Sequence, residues 1–157
     1  MRMKGQPTNQ AVTAWARLIR AQLLLLKKVN AALKAAELPP LAWYDVLLEL
    51  HRSREVGLRQ YEISKKILLP KHNLSRLIDR LENEGFVKRL SCAEDGRGNV
   101  VWITTGGAKL LKQMWRVYGA AIHESLECKL TPVQISTLGE ILNQLMAGLD
   151  EDSSGHT

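Results

Sequence analysis

Two cysteines, Cys92 and Cys128, are all that the 157 residues contain, too few for the disulfide framework that staples a small secreted domain. Cys92 reads as a passive thiol and Cys128 as a helix-packing residue. The opening residues, Met1 to Pro7, lead into no uninterrupted apolar segment of signal type, so a cytoplasmic protein is expected. The most apolar run, Leu23-Leu24-Leu25-Leu26, is enclosed by Arg20, Gln22, Lys27 and Lys28, far short of the ~20 apolar residues that a membrane span needs. A membrane role is therefore set aside. No phosphate-binding loop or dinucleotide fingerprint occurs. His51, His72, His123 and His156 fall on separate expected elements, and His123-Glu124-Ser125-Leu126-Glu127 ends in glutamate where a zinc-protease helix needs its second histidine. These absences argue against an enzyme, and no catalytic residue, metal site or cofactor is assigned.

What the chain does have is positive charge. Lysine and arginine number 22 against 16 acidic residues, a net charge of +6, which favours a polyanionic partner, with double-stranded DNA the first choice. The basic residues are spread over several segments rather than gathered on one apolar helix, unlike a membrane-surface anchor. The sharpest signal lies between Lys71 and Gly107. Leu74, Leu77, Ile78 and Leu81 make one apolar stripe at about 100° per residue. The opposite side carries Arg76, Asp79, Arg80 and Asn83, with Lys71, His72, Asn73 and Ser75 near the start. Such a helix can bury one side and offer the other to bases and phosphates. After it, Glu84-Gly85 predicts a glycine-closed helix end. Strands are predicted at about Phe86–Leu90 and Val100–Ile103, flanking the turn-forming tip Asp95-Gly96-Arg97-Gly98-Asn99.

Around this block the chain reads as helices. A long first helix from Gln10 to Glu37 has Val12, Trp15, Leu18, Ile19, Leu23, Leu26, Val29, Asn30 and Leu33 at helical spacing, and Pro39-Pro40 is expected to close it. A second helix runs from Leu41 to Ser53 and a short third from Gln60 to Ile67, with Leu68-Leu69-Pro70 as a turn. Thr104 or Thr105 caps a helix reaching about Cys128. Thr131-Pro132-Val133-Gln134 combines a capping box with proline at the first helical position. Ile135, Leu138, Ile141, Leu142, Leu145 and Leu149 then keep the helical rhythm into a polar tail. The first helix and the last two present more apolar surface than one chain of this size covers, which predicts a homodimer. The fold class expected is mainly α with a small β-hairpin: residues 1–37 and 105–150 as dimerisation helices, 38–104 as a DNA-binding domain, and 151–157 as a disordered tail.

The order of elements, and the run from Ser75 to Arg89 with Leu81-Glu82-x-x-Gly85-Phe86-Val87-x-Arg89, closely resembles the MarR family of winged helix-turn-helix regulators. Asp95-x-Arg97 followed by Ile103-Thr104-x-x-Gly107 carries the same resemblance in the hairpin. It implies a triangular homodimer with interlocked terminal helices and two winged domains set against successive major grooves. It implies that residues 72 to 76 and Arg80 enter the major groove, that Arg97 reaches the minor groove or its phosphates, and that Asp95 supports that arginine. Ser64 departs from the family pattern, as do Gly96 and Gly98, which leave the wing barer than usual.

The function expected is a ligand-responsive regulator, a repressor released from a pseudo-palindromic operator. Its DNA-contact residues are Lys71, His72, Asn73, Ser75, Arg76, Arg80, Arg89 and Arg97. Trp15, Trp43, Tyr44 and Trp115 are expected to wall a pocket for a small aromatic or anionic effector, with core packing the alternative use for each. The rival function is a winged-helix protein-interaction module without DNA binding. Retention of Arg76, Arg80, Arg89 and Arg97 argues against it.

Overall fold

A computed structural model of the chain describes residues 5–67, 71–91 and 99–153. The expected Leu68-Leu69-Pro70 turn, the hairpin tip with Cys92, Asp95 and Arg97, and residues 154–157 lie outside the described residues. The described residues up to Tyr118 form one compact unit and those from Gly119 onward a second.

The long first helix, α1, spans Asn9–Ala35, and Thr8 caps it by accepting the Ala11 N–H at 3.0 Å. It ends before the two prolines reach it. Glu37 adopts a left-handed backbone (φ 56°), its N–H bonds the Lys34 carbonyl at 3.0 Å, and the Leu38 N–H bonds the Leu33 carbonyl at 2.9 Å. That crossed pair is a Schellman closure. The prolines follow a helix already terminated. Helix α2, Leu41–Arg52, then starts at Pro40, which has no side-chain oxygen to cap it. Asn30 supplies one from α1: its Oδ1 accepts the Leu41 N–H at 2.9 Å, while its amide nitrogen donates to the Leu26 carbonyl. Asn30, which the sequence places in an apolar series, is a cap delivered across the corner between two helices.

Strand β1 is Leu58–Arg59, and α3 is Gln60–Ile67. Helix α4 runs Lys71–Asn83, followed by β2, Val87–Ser91, and β3, Asn99–Ile103. The sheet has three strands in the order β1-β3-β2, all antiparallel, so the expected two-stranded hairpin gains a partner. β1 pairs Leu58 with Val101 and Arg59 with Val100. The chain reaches it through Gly57, at φ +69° with no room for a side chain: an added Cβ would lie 2.5 Å from Val100 Cγ1 and 2.7 Å from Trp102 Cε2.

Helix α5, Thr105–Ile122, is capped by Thr104, whose Oγ accepts the Gly107 N–H and donates to the Gly85 carbonyl at 2.7 Å. The α-helical winding stops short of Cys128, because His123–Glu127 form a π-helical turn with His123 Nδ1 2.6 Å from Glu127 Oε2. Helix α6, Pro132–Ser153, opens with the expected capping box: the Thr131 N–H donates to Gln134 Oε1 at 2.9 Å and the Gln134 N–H to Thr131 Oγ1 at 3.3 Å. It continues to Ser153, past the expected start of the polar tail.

The core of the first unit gathers Leu33, Val46, Leu47, Leu50, Ile63 and Met114 from four helices. The end of α1 and much of α5 therefore belong to the same compact unit as residues 38–104. No helix among the described residues is long and apolar enough to cross a membrane.

Candidate nucleic-acid interface

Helix α4 is held by its apolar side. Leu74, Ile78 and Leu81 are fully buried, Leu77 nearly so, and the helix ends at Gly85 (φ 79°) with the Phe86 N–H bonded to the Leu81 carbonyl. Fixing one side orients the other. Asn73, Arg76, Asp79 and Arg80 are exposed, and Ser75 is half-buried. Lys71 and His72 open the helix, their side chains outside what the structure describes. The first turn contains no acidic residue, which suits the positive end of the helix dipole to an anionic partner.

Asn73, Arg76 and Arg80 line a hollow of about 380 Å³ together with Pro40, Ala42 and Trp43 from the start of α2. Neither arginine makes an ion pair among the described residues. Arg89 differs. It is 21% exposed and lies 2.5 Å from Asp79 and 3.2 Å from Glu82, both on α4. The structure thus brings Asn73, Arg76 and Arg80 onto one surface, leaves the half-buried Ser75 about 100° around the helix from Arg76, and turns Arg89 back into the protein. Arg97 and Asp95 lie outside the described residues.

Of the four residues expected to wall one effector pocket, Tyr44 and Trp115 meet, while Trp43 and Trp15 lie elsewhere. Consecutive helix positions diverge by about 100°, which sends Trp43 and Tyr44 to different places. Trp43 packs edge-on to Phe86, ring centres 6.2 Å apart, beside α4. Tyr44 stacks on Trp115 at 6.2 Å and meets Tyr118 edge-on at 5.1 Å. Trp15 is 68% exposed on α1 and is no part of that cluster. Tyr44 and Trp115 wall a crevice of about 560 Å³ between α2 and α5, where His51, Lys109 and Lys112 join them. The Nδ1 of His51 is buried with no hydrogen-bond partner among the described residues. Burial, and secondarily the neighbouring Tyr118, pushes the Tyr44 hydroxyl above its ordinary range, so it remains a proton donor at neutral pH. The sequence reading missed His51, Lys109, Lys112 and Tyr118. The spacing of 51 from 44 and of 109 and 112 from 115 was the available signal, since each set shares a helix side.

Helices α3 and α4 followed by the β2–β3 pair, with β1 closing the sheet, define a winged helix-turn-helix protein. The comparisons with known proteins carry this to a family. A model described as MarR family matches residues 38–98. The multiple antibiotic resistance protein MarR of Escherichia coli K12 is 34% identical over 85 residues, 54% of this chain and 59% of that relative; the match thus spans less than two thirds of the relative's length. Among solved structures, Sco3205, a MarR family transcriptional regulator from Streptomyces coelicolor in complex with DNA, superposes with a TM-score of 0.85 at 28% identity, covering 95% of this chain and 93% of that one. A mutant MarR from E. coli complexed with operator DNA gives 0.74 at 26% identity, covering 89% and 99%. The chain belongs to the MarR family.

Proposed function

We propose that this protein is a cytoplasmic DNA-binding transcriptional regulator, not an enzyme, that works as a homodimer and represses by occupying a pseudo-palindromic operator. The observation that carries the reading is the division of α4 into a buried apolar side and an exposed side with Asn73, Arg76 and Arg80. An arginine fork pairs with two acceptors of guanine or phosphate, worth about 1–3 kcal/mol of discrimination at a base. Lys71, His72 and Ser75 extend the surface, and Arg97, supported by Asp95, acts from the wing. The two similar structures bound to DNA support the same use of the fold. The dimer is supported by apolar surface left open on α1, at Val12, Leu23 and Leu24, and on α6, at Val133, Ile141 and Leu149. A second copy covers such surface in a closed symmetric assembly.

The crevice between α2 and α5 supports a signal molecule that is flat, aromatic and anionic. Trp115 and Tyr44 offer ring surface, Lys109 and Lys112 offer charge, and His51 offers an unpaired nitrogen. A ligand that prefers the state with misplaced recognition helices lowers DNA affinity by its differential binding.

The test is selection of a duplex from a random pool, followed by titration with and without aromatic acids such as salicylate or benzoate. The expected site is two inverted half-sites about one helical turn apart, bound less tightly as salt rises. Arg76→Ala should weaken the selected site by roughly ten- to hundred-fold and relax base preference, whereas Arg97→Ala should weaken all sequences alike. Failure to enrich any sequence would leave the protein-interaction module as the better reading. Unchanged DNA affinity in the presence of an aromatic acid that raises the melting temperature would remove the effector from the proposal.

A further inference from the structure

Arg89 is basic, lies on the wing strand β2 and follows the recognition helix, all of which mark it as a DNA contact. Its surroundings point elsewhere. The guanidinium Nη2 donates to Asp79 Oδ1 at 2.5 Å and Nη1 to Glu82 Oε1 at 3.2 Å. The Arg89 main-chain N–H donates to the other Glu82 oxygen, also at 3.2 Å. One residue of β2 therefore makes three contacts to two carboxylates a single turn apart on α4. With its side chain 21% exposed, the guanidinium is a bracket between helix and sheet. Asp79 is the telling partner: half its side chain is exposed, and it lies one turn after Arg76 on the exposed part of α4, beside the surface proposed to meet phosphates, where a carboxylate repels DNA.

We propose that Arg89 is a positioning residue: held by Asp79 and Glu82, it sets the angle between the recognition helix and the wing so that both reach one duplex in register. This rests on the DNA-binding reading above. Without the bracket the two elements must be ordered at the moment of binding, and that ordering is subtracted from affinity for the correct sequence. Non-specific binding, which needs only charge near phosphates, is spared. β2 is the strand that carries the setting to β3, with Arg89 opposite Val101 in the ladder.

Charge alone and a bracket between helix and sheet lead to opposite outcomes at Asp79. Asp79→Asn removes a negative charge from a DNA-facing surface, so simple charge reasoning predicts tighter binding to every duplex. A bracket predicts that Asp79→Asn binds the duplex selected by the wild-type protein roughly ten-fold more weakly and binds poly(dI-dC) as well as or better than the wild type. Arg89→Gln should match that loss, and the double variant should be no worse than either single one, because both break one unit. The slope of log affinity against log salt should stay at the wild-type value in all three. Arg89→Lys, which keeps the charge but not the fork, should recover only part of the loss and serves if Arg89→Gln melts at the assay temperature. A slope reduced by about one in Arg89→Gln, together with tighter specific binding by Asp79→Asn, would make Arg89 a phosphate contact and overturn the inference while the regulator reading stands. A wild-type protein that selects no duplex overturns both.

Discussion

Helices α4 and α6 carry apolar residues at the same helical spacing, and their environments differ sharply. α4 keeps Leu74, Leu77, Ile78 and Leu81 at 8% exposure or less, whereas Ile141, Leu145 and Leu149 of α6 are exposed at 51–65%. Amphipathic periodicity says that a stripe must be covered and is silent about what covers it. In α4 the cover comes from the chain itself, and the price of that enclosure is that only the opposite side remains for a partner, which is accordingly polar and basic. In α6 the apolar side is the available side, so its natural partner is apolar as well.

This contrast can be broken most directly by truncating one residue of each kind. Ile78→Ala should cost about 2–5 kcal/mol of stability, read in urea unfolding followed by circular dichroism, with the dimer's mass unchanged in light scattering. Leu145→Glu should instead shift the mass measured by light scattering toward the monomer and remove the dependence of the unfolding midpoint on protein concentration that a dimer shows. A Leu145→Glu protein that keeps a dimer's mass would show that α6 is not where the copies meet. A smaller effect sharpens the picture of the α4-bearing unit: Asn30→Ala removes the distant cap on α2 and should cost about 1 kcal/mol. Asn30→Asp, which keeps an acceptor oxygen for the Leu41 N–H, should recover most of it. Hydrogen exchange at Leu41 reports the cap directly; equal exchange in wild type and Asn30→Ala would exclude it.

The smallest effect concerns Asp45 on α2. Burial, and then the neighbouring Glu49, pushes its carboxyl above the ordinary range. The folded state thus favours the protonated acid, and the associated stability is complete below the unfolded value, near about 3.9, and lost as pH rises through the raised folded value. Asp45→Asn should therefore raise the melting temperature at neutral pH and leave it unchanged at about pH 3. Equal gains at both pH values would assign the effect to packing.

Features written in neighbouring residues were legible from the sequence, and those made by the fold were not. Thr131 and Gln134 form their capping box within one turn, Gly85 closes α4 where a glycine after the stripe said it would, and α3 spans the expected Gln60–Ile67. By contrast, β1 has two residues, too few for any alternation to show, and exists because β3 offers it an edge. Arg89 and Asp79 are ten positions apart, and only the return of the chain through Gly85 brings them together. The same physics separated Trp43 from Tyr44. Composition groups two adjacent aromatic residues, while helix geometry sends one beside α4 and the other toward α5. The π-helical turn at His123–Glu127 leaves no mark in a pattern of apolar spacing.

Gly57 has a consequence for how such a sequence can change over generations. Its backbone is left-handed, and the space where a side chain would begin is filled by Val100 and Trp102, both on the strand that touches each of its two neighbours. Even one methyl group there presses on β3 from behind, and through it on β1 and β2 together. Nearby Arg54, Glu55 and Val56 are exposed and free to drift. Gly57 is therefore a point of intolerance in a permissive loop, and substitutions there should be purged from descendants even though the position makes no contact with DNA or ligand in the function proposed for this protein.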